Sequence, residues 1–362
     1  MSLRSLERQG GNFDLHHPRP RTDPERLGQP PAIFKLFGVF SRLSLYILLV
    51  TNSIAGGLTA FFIYLAGCKH VSPLVGLLAA WAWAVLPIIA LTDTTLSNYA
   101  FATLAVVLWL NFVPDLAPKA YNWAWLGIAT GLMLLLNPML ALLVPATVLS
   151  LRKKQAVVVA AIALLVLTPW YVRNYRVMHH FYPALRDNLG MELYLGNHAG
   201  MSGTCDYWTG KSPYGGELPK IGEARFFELR RSDAIEFIQS APKGFAVRSL
   251  KRFAQFWLSP WPILYIPLLF LAAWGTLFVP SPLAVFALML FMVYPLVFYV
   301  TQTAWPTAYR HPIEPMILLM AATATVRIYM REIHRPDARR TRARRSSNYP
   351  SQATSRGGWP SL

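Results

Sequence analysis

The chain has 362 residues, 54% of them hydrophobic and 14% charged, with 34 Lys and Arg against 17 Asp and Glu and a formal net charge of +17. A soluble domain carries about 25% charged residues. The composition therefore excludes an ordinary soluble globule, a disordered chain and a disulfide scaffold, and it predicts an all-α, polytopic helical membrane protein. In a soluble protein the basic excess would suggest nucleic acid. Here the cations fall between and after apolar runs, so no nucleic-acid partner is expected and the cations set topology and touch anionic membrane lipid.

In chain order, residues 1–42 form a polar N-terminal segment rich in Pro and Gly, read as structureless. Apolar runs follow at Leu43–Ala66, Leu74–Leu91, Tyr99–Phe112, Trp123–Leu136, Met139–Leu151 and Ala156–Val172, a first membrane bundle over 43–172. A span needs about 20 apolar residues. The fourth and fifth runs are short and divided by Asn137-Pro138, which suggests a hairpin that dips in and returns. An insert over 173–259 comes next. Within it Gly222–Gln239 reads as a helix with Phe227, Ala234, Ile235 and Ile238 on one side. Ser240-Ala-Pro242 then starts a second helix, with Ser as cap and Pro in the first turn. That helix sets Phe245, Leu250, Phe253, Phe256 and Trp257 against Lys243, Arg248, Lys251 and Arg252, the pattern of an amphipathic helix in the bilayer interface; packing on the insert itself is the alternative. A second bundle over 260–329 holds runs at Ile263–Phe278, Pro282–Val300 and Ile313–Ile328, for about 8–9 membrane segments in all. A basic tail over 330–362 closes the chain.

The Lys/Arg asymmetry orients the chain. Arg152-Lys153-Lys154 and the tail's Arg339-Arg340 and Arg344-Arg345 belong in the cytoplasm, which puts the insert outside the cell membrane, along with the loop Thr92–Asn98. Cys68 and Cys205 then face opposite sides and do not pair. Residues 1–42 fall outside, although Arg4, Arg8, Arg19, Arg21, Arg26, Lys35 and Arg42 oppose the positive-inside rule there. That excess suggests either a weak rule here or a missing preceding span.

Four outward segments carry candidate chemistry. Asp93 in LTDTTLSN is a candidate general base or metal ligand, or a solvated acid capping the next helix. In TPWYVRNYRVMHHFYP, Arg173 and Arg176 suit a lipid phosphate, or they snorkel beside an aromatic belt. His179-His180 are adjacent and share no helical face, a poor metal pair. NLGMELYLGNHAG, with Tyr194 and Asn197, has Gly190, Gly196 and Gly200 for tight turns but lacks a phosphate-loop fingerprint. In TAWPTAYRHPIEP, Pro312 and Pro315 suit a helix start, while Tyr309, Arg310, His311 and Glu314 place polar groups at the hydrocarbon edge, where charge is costly unless useful.

Taken in order, LTPWYVRNYRVMHHFYP, GMELYLGNHAG, SAPKGFAVRSLKRFAQFWL and YRHPIEPMILLMAA resemble the later half of bacterial GT-C type membrane glycosyltransferases. These are relatives of the dolichyl-phosphate-mannose protein mannosyltransferases and the aminoarabinose transferases. IFKLFGVFS, ILLVTNSIAGGLTAFFIYLAG and LLAAWAWAVLPIIALTDTTLSNYAFATLAVVLWL resemble the early spans of the same family. The likeness runs from Ile33 to Ile328. It implies a bacterial inner-membrane enzyme that inverts a sugar taken from a polyprenyl-phosphate donor on the outer face. A carboxylate would take the acceptor's proton, and basic residues or a divalent metal ion would steady the leaving phosphate. Carried onto this chain, Asp93 is the catalytic acid of the second outward loop, and Arg173 and Arg176 are donor-phosphate candidates. Tyr194 and Asn197 join the substrate-binding set, and Tyr309, Arg310, His311 and Glu314 wall the outer cavity. Family members begin with a span and a loop bearing the key acid, and nothing spans before Leu43 here. The resemblance therefore implies an N-terminally shortened member, inactive if its catalytic loop is missing. The competing classes are a lipid or small-molecule transporter and a non-catalytic membrane scaffold.

Overall fold

The computed structural model describes residues 42–95, 97–112, 120–145, 148, 151–178, 188–198 and 218–347. The expectations for residues 1–41, His179-His180, Gly200 and Cys205 lie outside them. Every regular element among the described residues is helical. The described part of the first compact unit, up to Ile47, is the opening of helix α1 (Arg42–His70); all that follows belongs to the second unit, Leu48–Leu362.

Helix α2 (Pro73–Val85) starts on Ser72, whose side chain accepts from the Val75 amide, with Pro at its first position. It stops at Leu86, which the following proline holds in extended backbone (φ −71°, ψ 115°). Pro87 then opens α3 (Pro87–Asp93), so the predicted single run Leu74–Leu91 is two helices bent by 65°. Next come α4 (Tyr99–Phe112), α5 (Ala120–Leu136) and a 3-10 turn, Pro138–Leu143, whose start is capped by Asn137 accepting from the Met139 amide. Helix α6 (Lys153–Met178) packs parallel to α5, with Gly127 against Ile162 and Gly131 against Val166.

In the insert, α7 (Leu189–Gly196) packs on α9 (Glu223–Ser240), after the single turn α8 (Leu218–Ile221). The buried side of α9 keeps most of the predicted one: Ala234 is fully buried and Phe227 and Ile238 half-buried, while Ile235 is exposed and Phe226 is buried in addition. The Arg230 guanidinium lies over both Phe226 and Tyr194. Helix α10 (Pro242–Leu258) starts at the predicted proline, but its cap is Ala241, and the Ser240 hydroxyl donates back to the Phe237 carbonyl. Then follow α11 (Pro262–Gly275), α12 (Ser281–Met292), α13 (Leu296–Val300), the short α14 (Pro306–Arg310), a 3-10 turn over His311–Ile313, and the long α15 (Glu314–Ser347).

Among the described residues four stretches are long and apolar enough to cross a membrane: Leu45–His70, Lys153–Arg176, Ser281–Val300 and Pro306–Arg331. Two bent pairs, Pro73–Val85 with Pro87–Asp93 and Pro242–Leu258 with Pro262–Phe278, raise the number to six if each is one span. The predicted total of 8–9 is larger because Tyr99–Phe112 and Trp123–Leu136 were each counted as a span. At 14 residues each, they reach about 21 Å against a hydrocarbon core of about 30 Å. The fifth run, Met139–Leu151, opens as a 3-10 turn.

The start of α15 is the axis of the packing. Ile313 and Met316 to Ala322 are buried without a break, and α2 and α11 pack against this helix. The outer helices do the reverse: Ile263 is 92% exposed, Leu165 71% and Phe270 68%. An apolar surface of that extent suits lipid rather than water. Helices meet closely at small residues, as membrane packing favours. A Cβ on Gly67 would lie 2.2 Å from Gly76 Cα, and one on Gly76 would lie 2.4 Å from the Tyr64 carbonyl oxygen.

A candidate active site at Asp93 and His311

Asp93 ends α3, and the turn beyond it is pinned to α1 by Asn52, whose amide donates to the Thr95 carbonyl at 2.7 Å. Asp93 is thus the last residue of one helix and not the cap of α4, which sets aside the capping alternative. His311 opens the 3-10 turn before α15. The proline break at Leu86 and this turn bring the two together: Asp93 Oδ1 stands 3.2 Å from His311 Nε2. The distance is that of an ion pair, and the angle lies outside hydrogen-bond geometry.

The other ring nitrogen fixes the proton. Thr103 Oγ1 lies 2.6 Å from His311 Nδ1 and 2.7 Å from the Tyr99 carbonyl oxygen. A carbonyl only accepts, so the single hydroxyl proton goes to Tyr99 and the hydroxyl accepts from Nδ1–H. Nε2 then faces the Asp93 carboxyl either as a lone pair or as N–H. The edge of Trp83 packs on the imidazole at a centroid distance of 5.0 Å, and Trp83 Nε1 donates to the Gly56 carbonyl at 3.1 Å.

The pair lies beside a cleft of about 260 Å³ whose wall includes Ser53, Gly56, Gly57, Trp83, Asp93 and Thr94. His311 is 1% exposed and the Asp93 side chain 10%. Asp93 is thus the member of the pair that faces the cleft, and His311 stands behind it. Gly56 is essential to that arrangement: a Cβ there would stand 2.3 Å from Asp93 Oδ2.

The remaining predicted residues divide. Arg310 is fully buried and its guanidinium is engaged throughout: Nε donates to Glu314 Oε1 at 2.6 Å, one terminal nitrogen to the Phe256 carbonyl and the other to the Ser259 carbonyl at 3.0 Å. It also lies 3.7 Å over the Tyr265 ring, whose hydroxyl donates to Glu314 Oε1 at 2.8 Å. Arg310 and Glu314 thus fasten the start of α15 to the ends of α10 and α11, next in sequence to His311. Tyr309 accepts from the Gln302 amide at 2.5 Å and lines a second, smaller cavity. Tyr194 and Asn197 line neither cavity. Tyr194 stacks on His198 at 4.7 Å, and Asn197 donates to the Leu193 and Val300 carbonyls and accepts from Arg252. Arg173 and Arg176 lie near the end of α6, both exposed; Arg173 sits 4.9 Å over the Trp170 ring and donates to Asn174.

Sequence reasoning missed Thr103, Trp83, Tyr265 and Gln302, and it misread Arg252. The sequence sets Arg252 on the basic face of an interfacial α10, yet it is fully buried, donating to the Tyr299 and Val300 carbonyls and to Gly196 and Asn197. The signal was present: positions 245, 249, 252 and 256 form one helical stripe, so Arg252 shares the register of Phe245 and Phe256.

A metal ion held by the protein needs three or more donors. No group of three His, Cys, Asp or Glu gathers among the described residues, and the Asp93–His311 pair spends its imidazole on Thr103 and Asp93. The described donor set does not fit a resident metal. Comparison with protein-family models, with curated proteins and with solved structures gives no match for this chain.

Proposed function

We propose that this chain is a membrane glycosyltransferase that moves a sugar from a polyprenyl-phosphate donor to an acceptor hydroxyl at the outer face of a bacterial inner membrane. The observation that carries the reading is the buried Asp93–His311 pair beside a cleft. In the step, Asp93 takes the acceptor's O–H proton as that oxygen attacks the anomeric carbon. The bond from that carbon to the phosphate oxygen breaks, and polyprenyl phosphate leaves with the electron pair. A single displacement inverts the sugar. His311, fixed by Thr103, holds the carboxylate in position. Arg173 and Arg176 meet the phosphates of donor or anionic lipid.

The proposal counts 8–9 membrane segments, the two 14-residue helices included because snorkelling flanks and local bilayer thinning accommodate short runs, with the insert outside and the basic tail in the cytoplasm on the Lys/Arg asymmetry. The ordered resemblance of four outward segments to GT-C enzymes supports it.

The test is purified protein in proteoliposomes with radiolabelled polyprenyl-phosphate hexose and a mixed hydroxyl-acceptor extract. Label should pass to acceptor, and Asp93→Asn should slow transfer at least 100-fold, with donor binding kept. No transfer by the folded wild-type protein overturns the reading. One observation favours a second: α2 and α3 form a broken helix ending in an acid, a pattern seen in transporters. That reading expects the labelled lipid to cross the bilayer with its sugar still attached.

A further inference from the structure

The second cavity lies between α7, α13 and the Pro138 turn, and its wall carries Tyr99, Asn137, Asn188, Glu192, Gln302 and Tyr309. Four of these form a bonded row. Asn188 donates to Glu192 Oε1 at 3.1 Å, and the Gln302 amide nitrogen donates to Glu192 Oε2 at 2.8 Å and to the Tyr309 hydroxyl at 2.5 Å. Gln302 is itself held in place, its amide oxygen accepting from the Ala304 amide at 2.7 Å.

We infer that this cavity is a second subsite, one that reads the hydroxyl groups of a sugar ring. The inference rests on the glycosyltransferase reading and deepens it by separating sugar recognition from the Asp93–His311 pair. The lining decides the ligand's chemistry. Among the described residues it holds one carboxylate and no Lys or Arg, which favours a group that donates hydrogen bonds. Carboxylate and amide side chains each offer two adjacent polar atoms, which match neighbouring hydroxyls. Aromatic rings supply the apolar wall a sugar's C–H face needs: Phe298 stacks on Tyr309 at 4.7 Å, and Tyr99 meets Tyr309 edge-on at 5.9 Å.

Size and position agree. The enclosed space is about 70 Å³, room for about five waters and so for one edge of a single ring rather than a disaccharide. Tyr99 lines this cavity, and Thr103, one turn further along α4, holds His311. The two features therefore lie about 6 Å apart along that helix. Tyr309 and His311 repeat the connection on the other strand of chain, two residues apart.

Two binding measurements test the subsite on full-length protein in nanodiscs. The first compares polyprenyl-phosphate hexose with sugar-free polyprenyl phosphate. Wild type should bind the sugar-bearing lipid more tightly, and Glu192→Gln and Asn188→Ala should each lose about tenfold of that preference while binding the sugar-free lipid as before. The second is saturation-transfer NMR with methyl hexosides, which should show ring protons in contact with wild type and reduced contact in Glu192→Gln. Equal loss for both lipids, or an unchanged preference in both variants with wild-type unfolding temperatures, overturns the subsite. If transfer activity is absent but methyl hexosides bind through Glu192, the glycosyltransferase reading fails and the subsite stands.

Discussion

Replacing Gly56 by alanine perturbs the Asp93–His311 pair with the smallest possible change. The new methyl would stand 2.3 Å from Asp93 Oδ2 and 2.9 Å from its Cγ, where ordinary contact begins at 3.4 Å, a shortfall of about 1.1 Å. The clashing atoms are the tip of a side chain, so the carboxylate moves and the main chain stays. The expected stability cost is about 1 kcal/mol, the low end of overpacking. The functional cost is larger. A displacement of about 1 Å at a reacting group lowers rate on the order of 100-fold, and the pair's own spacing is 3.2 Å. Gly57→Ala is the matched control, because a Cβ there meets nothing within 4 Å and the gain in helix propensity is the same. Sugar transfer in proteoliposomes, read beside thermal unfolding in detergent, should separate the two: both folded, only Gly56→Ala slow. Equal transfer rates in the two folded variants would refute the placement of Asp93 as the reacting group.

Three further outcomes follow from the geometry. Thr103→Val removes the acceptor for His311 Nδ1–H and should lower transfer at least tenfold, with Thr103→Ser restoring it; both should unfold near the wild-type temperature. Arg310→Met strands the Glu314 carboxylate and should cost about 3–5 kcal/mol, visible as a marked fall in unfolding temperature. Adding Glu314→Leu should recover most of that loss, and no recovery would mean that Arg310 acts through its carbonyl partners instead. Arg173→Ala with Arg176→Ala should raise the donor KM about tenfold with kcat unchanged, an effect that shrinks in high salt; a fall in kcat alone would place the phosphate elsewhere.

Much of this architecture was legible in residues that act locally. Tyr99–Phe112 and the starts of α9 and α10 follow directly from apolar runs, Gly222 and Pro242, because such signals lie within one or two turns of their effect. The bend at Leu86 was carried by Pro87, but a hydropathy reading passes over a single proline in an apolar run. Asp93 and His311 were each singled out from composition and position. Their meeting was not legible, because it joins residues 218 positions apart through the packing of α1, α2 and α15. Thr103 and Tyr265 escaped for the same reason: each is one polar atom in an apolar helix, and only its long-range partner gives it meaning. Arg252 shows a different failure. Its charge argued for solvent, and its register with Phe256 argued for the interior; with four acceptors waiting, the register prevailed.

The crossing of α1 and α2 has a consequence for how this sequence can vary. A side chain at Gly67 meets the main chain of Gly76, and a side chain at Gly76 meets the main chain of Tyr64 and Cys68. In each case the obstacle is backbone, which no second substitution can trim. The two positions therefore admit no compensating pair of the kind that relieves crowded side chains. Drift at this crossing is closed to single and to paired replacement alike, short of moving the helices apart. In a library of variants, positions 67 and 76 should stay glycine while the lipid-facing residues of the same two helices, such as Phe61 and Leu77, exchange freely among apolar types.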